Sequence, residues 1–468
     1  MSISTIHVDI AVIGAGTAGM HAYHTAKRAG AMVVLIDHGP LGTTCARTGC
    51  MPSKAVLHAA HRWSTLQALL PEGGAQALPA GHTTPQQLWA QALSIRDQLV
   101  QGNVRHLEKL AGDDLLRASA RFVAPDVLEL DDGRHVHARA FVVATGSEGV
   151  KPESLQAELG TALITSDELF FLPELPRSVA IMGTGAIGLE MGVALSRLGV
   201  NVVAAGRSAS VAKVADPDVG RAATRYFSEQ LPLALGASDI RVVREGNGVC
   251  MQAGALTHRA QYLLAALGRR PRLGALNVEA AQVQLDEKGR PRTEKGSLRC
   301  AGTMVFVAGD PAPSPALMHE AGHDGTLAAQ QALKALGDGS WKDMQERHRT
   351  VPLSIVFTDP DIAEVGLRFD QLPADALIGR VDGAGSGRSK LMQAPHHLLH
   401  LYADRHSGQM LGASMFCARG EHLAHSLAWA IQRGETVDSL LELPFYHPTL
   451  EEIIDTALRN MRHEMHQS

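Results

Sequence analysis

Two cysteines five residues apart stand in the stretch Cys45-Ala46-Arg47-Thr48-Gly49-Cys50-Met51-Pro52-Ser53-Lys54. They fall on a loop entering a predicted helix that starts near Cys50. A helix N-terminus stabilises a thiolate, and Lys54 one turn later adds positive charge. The connection is short enough for a disulfide, with the glycine easing the turn. Half a zinc site is the rival reading, but structural zinc takes four ligands, usually from two short Cys pairs, and no second pair occurs. Two unrelated buried cysteines are the bland alternative. Far along the chain, His447-Pro448-Thr449-Leu450-Glu451-Glu452 sets an imidazole, which titrates near neutrality, ahead of an acid. Pro448 is expected as the first helical residue, with His447 at the helix mouth. Glu452 either orients that ring or completes an S/T-x-x-E capping box from Thr449, and spacing alone leaves both open.

Such groups need a scaffold, and its signals are regular. Strand Val8–Ile13 runs into Gly14-Ala15-Gly16-Thr17-Ala18-Gly19, a helix to about Ala29, and strand Met32–Ile36 ending at Asp37. This is a βαβ dinucleotide fingerprint, its glycines letting a pyrophosphate approach a helix N-terminus. Asp37 would accept hydrogen bonds from ribose hydroxyls. The pattern recurs in strand Ser178–Met182, Gly183-Thr184-Gly185-Ala186-Ile187-Gly188, a helix to about Leu198 and strand Val200–Ala205. Each copy is closed by a returning strand, one at Phe141–Gly146 and one at Leu263–Gly268. Two seats imply two nucleotides held at once, and flavin-to-nicotinamide electron transfer explains that economically.

Between the two copies, 71–85 reads as a loop, 86–111 as a helix and 117–143 as a β-hairpin excursion turning at Asp131-Asp132-Gly133. After about 346 the pattern changes to short strands, Val351–Val356 and Leu398–Tyr402 among them, mixed with helices.

Composition narrows the class. The 468 residues predict two to four domains. Hydrophobic residues at 45% and charged residues at 19% exclude disorder. A net charge of −5 leaves no basic stripe, so no nucleic-acid partner is expected. No apolar run approaches bilayer length and the first residues resemble a buried strand, so no membrane partner and a cytoplasmic, soluble protein are expected. Five cysteines make no disulfide framework for a chain this long.

In order, these motifs resemble the class I pyridine nucleotide–disulfide oxidoreductases, the family of dihydrolipoamide dehydrogenase, glutathione reductase and mercuric reductase. The resemblance runs through both fingerprints, the Cys45/Cys50 block, Ala144-Thr145-Gly146-Ser147 and Gly268-Arg269-Arg270-Pro271. It continues through Ala308-Gly309-Asp310, Met318-His319-Glu320-Ala321, Phe357-Thr358-Asp359-Pro360 and the His447 motif. It implies an α/β fold: two Rossmann-like domains for FAD and NAD(P), plus a C-terminal α+β dimerisation domain. The implied boundaries are 1–150 with 271–345 for FAD, 151–270 for NAD(P) and 346–468 for the interface.

The resemblance also implies roles. Cys45 would be the exposed interchange thiol, and Cys50 the charge-transfer thiolate against the flavin. Lys54, paired with Glu190, would sit near the flavin's reactive edge. Asp310 would hold the ribityl chain, and Met318 and His319 would bring backbone to the ring. Gly14, Gly16, Gly19, Thr145, Gly146 and Ser147 would line the FAD seat. Gly183, Gly185, Gly188 and Gly268 would line the NAD or NADP seat. A homodimer would take His447 and Glu452 of each site from the partner chain. Dihydrolipoyl groups on a carrier protein are the implied substrate, with a small disulfide reduced by NADPH as the alternative.

Departures bear on substrate and nucleotide. Ala46-Arg47-Thr48 replaces the usual Leu-Asn-Val, and Arg47 beside the thiols alters the local charge. The second-fingerprint strand ends in Gly206-Arg207 with no acid, and a guanidinium suits a 2′-phosphate. The last cysteine is Cys417, so mercuric reductase chemistry with a C-terminal Cys pair is disfavoured. Histidines cluster at His58/His61, His396/His397/His400 and His422/His425, which keeps a regulatory or metal-binding flavoprotein as a rival. No third ligand is arranged beside them, and alternation would send some of His396–His400 to solvent, so no metal site is expected.

Overall fold

The computed structural model describes residues 4–70, 83–337, 350–394 and 396–466. Most of the 71–85 loop expectation therefore lies outside the described residues. The first strand is Thr5–Ile13, longer than expected because its outer half pairs in parallel with His135–Ala138 while its inner half is fully buried. It pairs in parallel with Val33–Ile36 on the other side, Ile10 to Val33 through Ile13 to Ile36. Strand Val305–Val307 joins the same sheet beside Phe141–Val143, although it lies far along the chain. The excursion folds as the antiparallel run Ala120–Ala124, Val127–Leu130 and His135–Val143. Its predicted turn is present, with Gly133 at φ +85°.

The second fingerprint builds a parallel sheet in the order Leu233–Ala234, Asn201–Ala205, Ser178–Met182, Tyr262–Ala265, Leu163–Ile164. Buried Val, Ile and Leu on both faces explain the unbroken apolar strands. The two glycine turns repeat one geometry. Gly14 at φ +100° would put a Cβ 2.3 Å from the Ala144 carbonyl oxygen, and Gly183 at φ +110° would put one 2.3 Å from that of Ala266. Gly19 and Gly188 would drive a Cβ to 1.7 and 1.8 Å from the Gly14 and Gly183 carbonyl oxygens. Any side chain would thus push the helix off the strand.

The C-terminal part is an antiparallel sheet ordered Leu353–Val356, Asp361–Gly366, Met410–Cys417, Leu398–Ala403, Leu377–Asp382. Helices Gly420–Gln432 and Glu452–His466 pack against it through Leu423, Leu427, Ile453, Ala457 and Met461. Strand Leu398–Ala403 is buried on both faces, because helix Pro217–Ser228 of the second βαβ part also packs near it. The histidines divide between solvent and interior as expected, His396 being exposed, but not by alternation, since His397 and His400 are both buried.

Candidate functional site

Cys45 lies in the single turn Thr44–Arg47, whose N-cap Thr43 hydroxyl accepts the Ala46 N–H at 3.1 Å. Gly49 brings the chain back so closely that a Cβ there would sit 3.2 Å from the Cys45 Cα. Cys50 opens helix Cys50–Ala68, as expected from the sequence. Both sulfurs stand as free thiols joined by a hydrogen bond. That bond, then burial, pushes the Cys45 thiol far up. The same bond pulls Cys50 down to about 6 against an opposing burial effect, with the Lys54 ammonium assisting. The pairing biases the dithiol so that the first proton leaves Cys50 rather than Cys45. In the chain by itself Cys45 is half-buried and Cys50, at the helix end, is exposed.

Lys54 sits one turn into the helix and donates to both oxygens of Glu190, at 3.1 and 3.0 Å. Glu190 is 5% exposed and belongs to helix Ala186–Arg197 of the second fingerprint, so this pair ties the thiol helix to the second nucleotide-binding unit.

The first seat combines open backbone with unpaired polar groups. Gly16 caps helix Thr17–Arg28 with no side-chain cap, and a Cβ there would meet nothing within 4 Å. Next to the turn, the Thr145 hydroxyl is buried with no hydrogen-bond partner, and Gly146 adopts φ +68°. The Asp37 carboxylate accepts the Ala15 N–H on Oδ2 and the Gly39 N–H on Oδ1, both at 2.7 Å, so it also fixes the turn. The Ser147 hydroxyl donates to Asp310 and accepts from Arg269 Nε at 2.9 Å. Arg269 continues to Asp167 Oδ1 at 2.9 Å. An orphan hydroxyl, uncapped helix N–H groups and a side-chain-free approach fit a dinucleotide such as FAD. Met318, 54% exposed, and His319 open the uncapped helix Met318–Leu336.

The second seat repeats the opening at Gly185, where a Cβ would again meet nothing within 4 Å. Gly268 follows the returning strand at φ +106°. Gly206 is closed to side chains, since its Cβ would lie 2.4 Å from the Thr184 Oγ1. Arg207 is therefore the first residue after the strand able to project, and it is exposed.

His447 and Glu452 lie on the C-terminal part, His447 Nδ1 at 2.8 Å from Glu452 Oε1, with the imidazole side chain 76% exposed. Among the described residues no hydrogen bond or ion pair joins them to Cys45 or Cys50 of the same chain. The helix begins at Glu452 rather than Pro448, because 447–451 form a turn in which the Thr449 hydroxyl donates to the Tyr446 carbonyl at 2.8 Å. Glu452 Oε2 accepts the Thr449 N–H at 3.1 Å, but the Thr449 hydroxyl is turned to Tyr446 and Glu452 is the first helical residue, so the full capping box is not formed.

The histidine clusters go elsewhere. His61 pairs with Asp359 at 2.9 Å, and His400 Nδ1 lies 2.7 Å from Asp216 Oδ2. Asp216, Asp218 and His400 bring ligand atoms within 4.8 Å of one another. Asp216, however, already accepts the Asp218 and Val219 N–H groups and the Tyr402 hydroxyl. Cys250, Cys300 and Cys417 are buried free thiols, and burial pushes each one up. The sequence reading missed Arg269 and Asp167. The quoted Gly268-Arg269-Arg270-Pro271 block was the available signal.

The fold and paired seats define a two-nucleotide oxidoreductase, and comparison with known proteins gives the family. Residues 8–325 match the pyridine nucleotide-disulphide oxidoreductase family, and residues 352–458 match its dimerisation domain. The chain belongs to this family, which is FAD-dependent and uses NAD(P). It is 30% identical to a dihydrolipoyl dehydrogenase of Halobacterium salinarum, over 98% of this chain and 97% of that protein. It is also 30% identical to a mercuric reductase of Streptomyces lividans, over 94% of this chain and 93% of that one. The fold matches the HOCl-induced flavoprotein disulfide reductase RclA of Escherichia coli with a TM-score of 0.80 at 22% identity, covering 97% of this chain and 99% of that chain. Among the described residues no helix is long and apolar enough to cross a membrane.

Proposed function

We propose that the protein is a homodimeric dihydrolipoamide dehydrogenase-type enzyme. It oxidises dihydrolipoyl groups on a carrier protein and reduces NAD+ or NADP+. The observation that carries this reading is the polarised Cys45/Cys50 dithiol beside the Lys54–Glu190 pair. The balance is one dithiol plus NAD(P)+ giving one disulfide, NAD(P)H and a proton. In the substrate half, a dihydrolipoyl thiolate attacks Cys45 of an oxidised Cys45–Cys50 bond and releases Cys50 as thiolate. The second substrate thiolate then breaks the mixed disulfide and leaves Cys45 as a thiol. The leaving sulfur is the one with the depressed pKa, which is the better leaving group. His447 of the partner subunit removes the substrate proton, and Glu452 of that subunit orients the ring.

FAD, held by the Gly14–Gly19 turn, Asp37, Thr145–Ser147 and Asp310, supplies two-electron relay chemistry between the thiols and the nicotinamide. The second fingerprint, Gly183 to Gly188, holds the nicotinamide nucleotide, and Lys54–Glu190 lies between the two units. A second reading is an NADPH-dependent disulfide or mercuric reductase, and the exposed Arg207 at a position without an acid favours it. A panel of lipoamide, oxidised glutathione, other disulfides, quinones and mercuric ion, assayed with both nicotinamides, separates the two. Fast, reversible turnover confined to lipoamide supports the first, and NADPH oxidation confined to another acceptor overturns it.

A further inference from the structure

Three distant segments meet at one buried carboxylate. Glu190 Oε1 accepts the Phe357 backbone N–H at 2.9 Å, while both its oxygens accept from Lys54 Nζ. The Phe357 ring meets the other member of the pair, with Lys54 Nζ 4.4 Å from its centroid. One residue of the C-terminal part thus touches the anion through its backbone and the cation through its side chain. Its loop is anchored from the nucleotide-binding part, where Arg197 Nη2 at 2.8 Å and the Tyr226 hydroxyl at 3.2 Å both donate to the Asp359 carbonyl.

We infer that Phe357 is a positioning residue that keeps the Lys54 ammonium acting on Cys50. This rests on reading Cys45 and Cys50 as the working thiols. A lysine side chain has many rotamers and a strongly hydrated head. The Lys54 side chain remains 34% exposed, so Glu190 alone does not exclude water from it. The ring covers one side of the ammonium, and a less screened charge acts more strongly on a nearby sulfur. The Lys54 charge favours the Cys50 thiolate and that of Glu190 opposes it, so the orientation of the pair sets the net field. The seat of the C-terminal part is thereby coupled to the acidity of the thiol.

The test is a pH titration of thiolate absorbance in the reduced holoenzyme, taken as a difference against the Cys50→Ser protein. Phe357→Leu keeps the backbone N–H and apolar bulk but removes the π face. It should lower the Cys50 acid dissociation constant measurably, by up to about two- to fivefold, the full worth of a cation–π contact at a partly exposed site. Phe357→Tyr should match the parent. In a Lys54→Met background, Phe357→Leu should change nothing further, which a merely structural role does not predict. An unshifted constant in Phe357→Leu, or an equal shift in both backgrounds, overturns the inference. Failure with every substrate of the panel would refute the enzyme reading instead, since this titration needs no substrate.

Discussion

Glu452 holds the His447 ring at 2.8 Å on one carboxylate oxygen and the Thr449 N–H at 3.1 Å on the other. The His447 hydrogen bond is the main reason that this carboxylate lies below its ordinary range. The acid stays ionised and fixes the imidazole with its far nitrogen, Nε2, directed away. The ring is exposed on its own chain, which leaves it open for the proposed role toward a partner subunit.

His447→Gln should therefore lose roughly 10²- to 10⁴-fold in turnover with the disulfide substrate, the usual worth of general acid–base help. Flavin reduction by the nicotinamide, followed by stopped flow, should stay near the parent rate. Equal slowing of both half-reactions, or of neither, would refute the assignment.

Arg207 predicts nucleotide choice. If its guanidinium receives a 2′-phosphate, Arg207→Ala should lower kcat/KM for NADPH by roughly 10- to 100-fold, the worth of a charge-assisted hydrogen bond. NADH kinetics should barely move. A strong NADH preference in the parent that survives the substitution sinks the phosphate role.

The thiols predict a pH profile. Cys50 is depressed chiefly by its hydrogen bond with Cys45, so thiolate should appear as pH rises through about 6. Cys45→Ala removes that bond and should move the transition upward, toward ordinary thiols near 8.5. An unmoved transition, read by thiolate absorbance in the reduced protein, would show that the pairing is not the cause.

What the sequence disclosed follows from how local each constraint is. Gly14, Gly19, Gly183 and Gly188 are dictated by contacts within one βαβ unit, so both seats could be read directly. The Cys45/Cys50 block was equally compact. Arg269 reaches Ser147 across 122 positions, and Phe357 reaches Glu190 across 167. No periodicity encodes such partners. Pro448 misled because its suitability for a first helical turn is a local preference, whereas the Glu452 contacts define where the helix begins. The His400 environment was hidden for a related reason: burial of both faces of its strand depends on a helix from another part of the chain.

Asp216 makes the last prediction. It is fully buried at the N-cap of helix Pro217–Ser228, with Oδ1 accepting the Asp218 and Val219 N–H groups at 2.9 and 3.1 Å. Its Oδ2 meets His400 Nδ1 and the Tyr402 hydroxyl, each at 2.7 Å, across the junction with the C-terminal sheet. Burial pushes this carboxyl up, but the His400 and Tyr402 hydrogen bonds, with the Val219 N–H, outweigh it and bring it to about 2. A folded pKa below the unfolded value of about 3.9 means the contribution is complete above pH ~4 and lost as pH falls through about 2. Its size is about 2–3 kcal/mol by that linkage. Asp216→Asn keeps the shape and removes the carboxylate charge, which should cost about 2–3 kcal/mol at neutral pH by the same linkage. Urea melts of parent and variant at pH 7, 4 and 2.5 should then converge as the pH falls. If the gap is the same at all three pH values, or absent at pH 7, the carboxylate is not what joins these two parts of the chain.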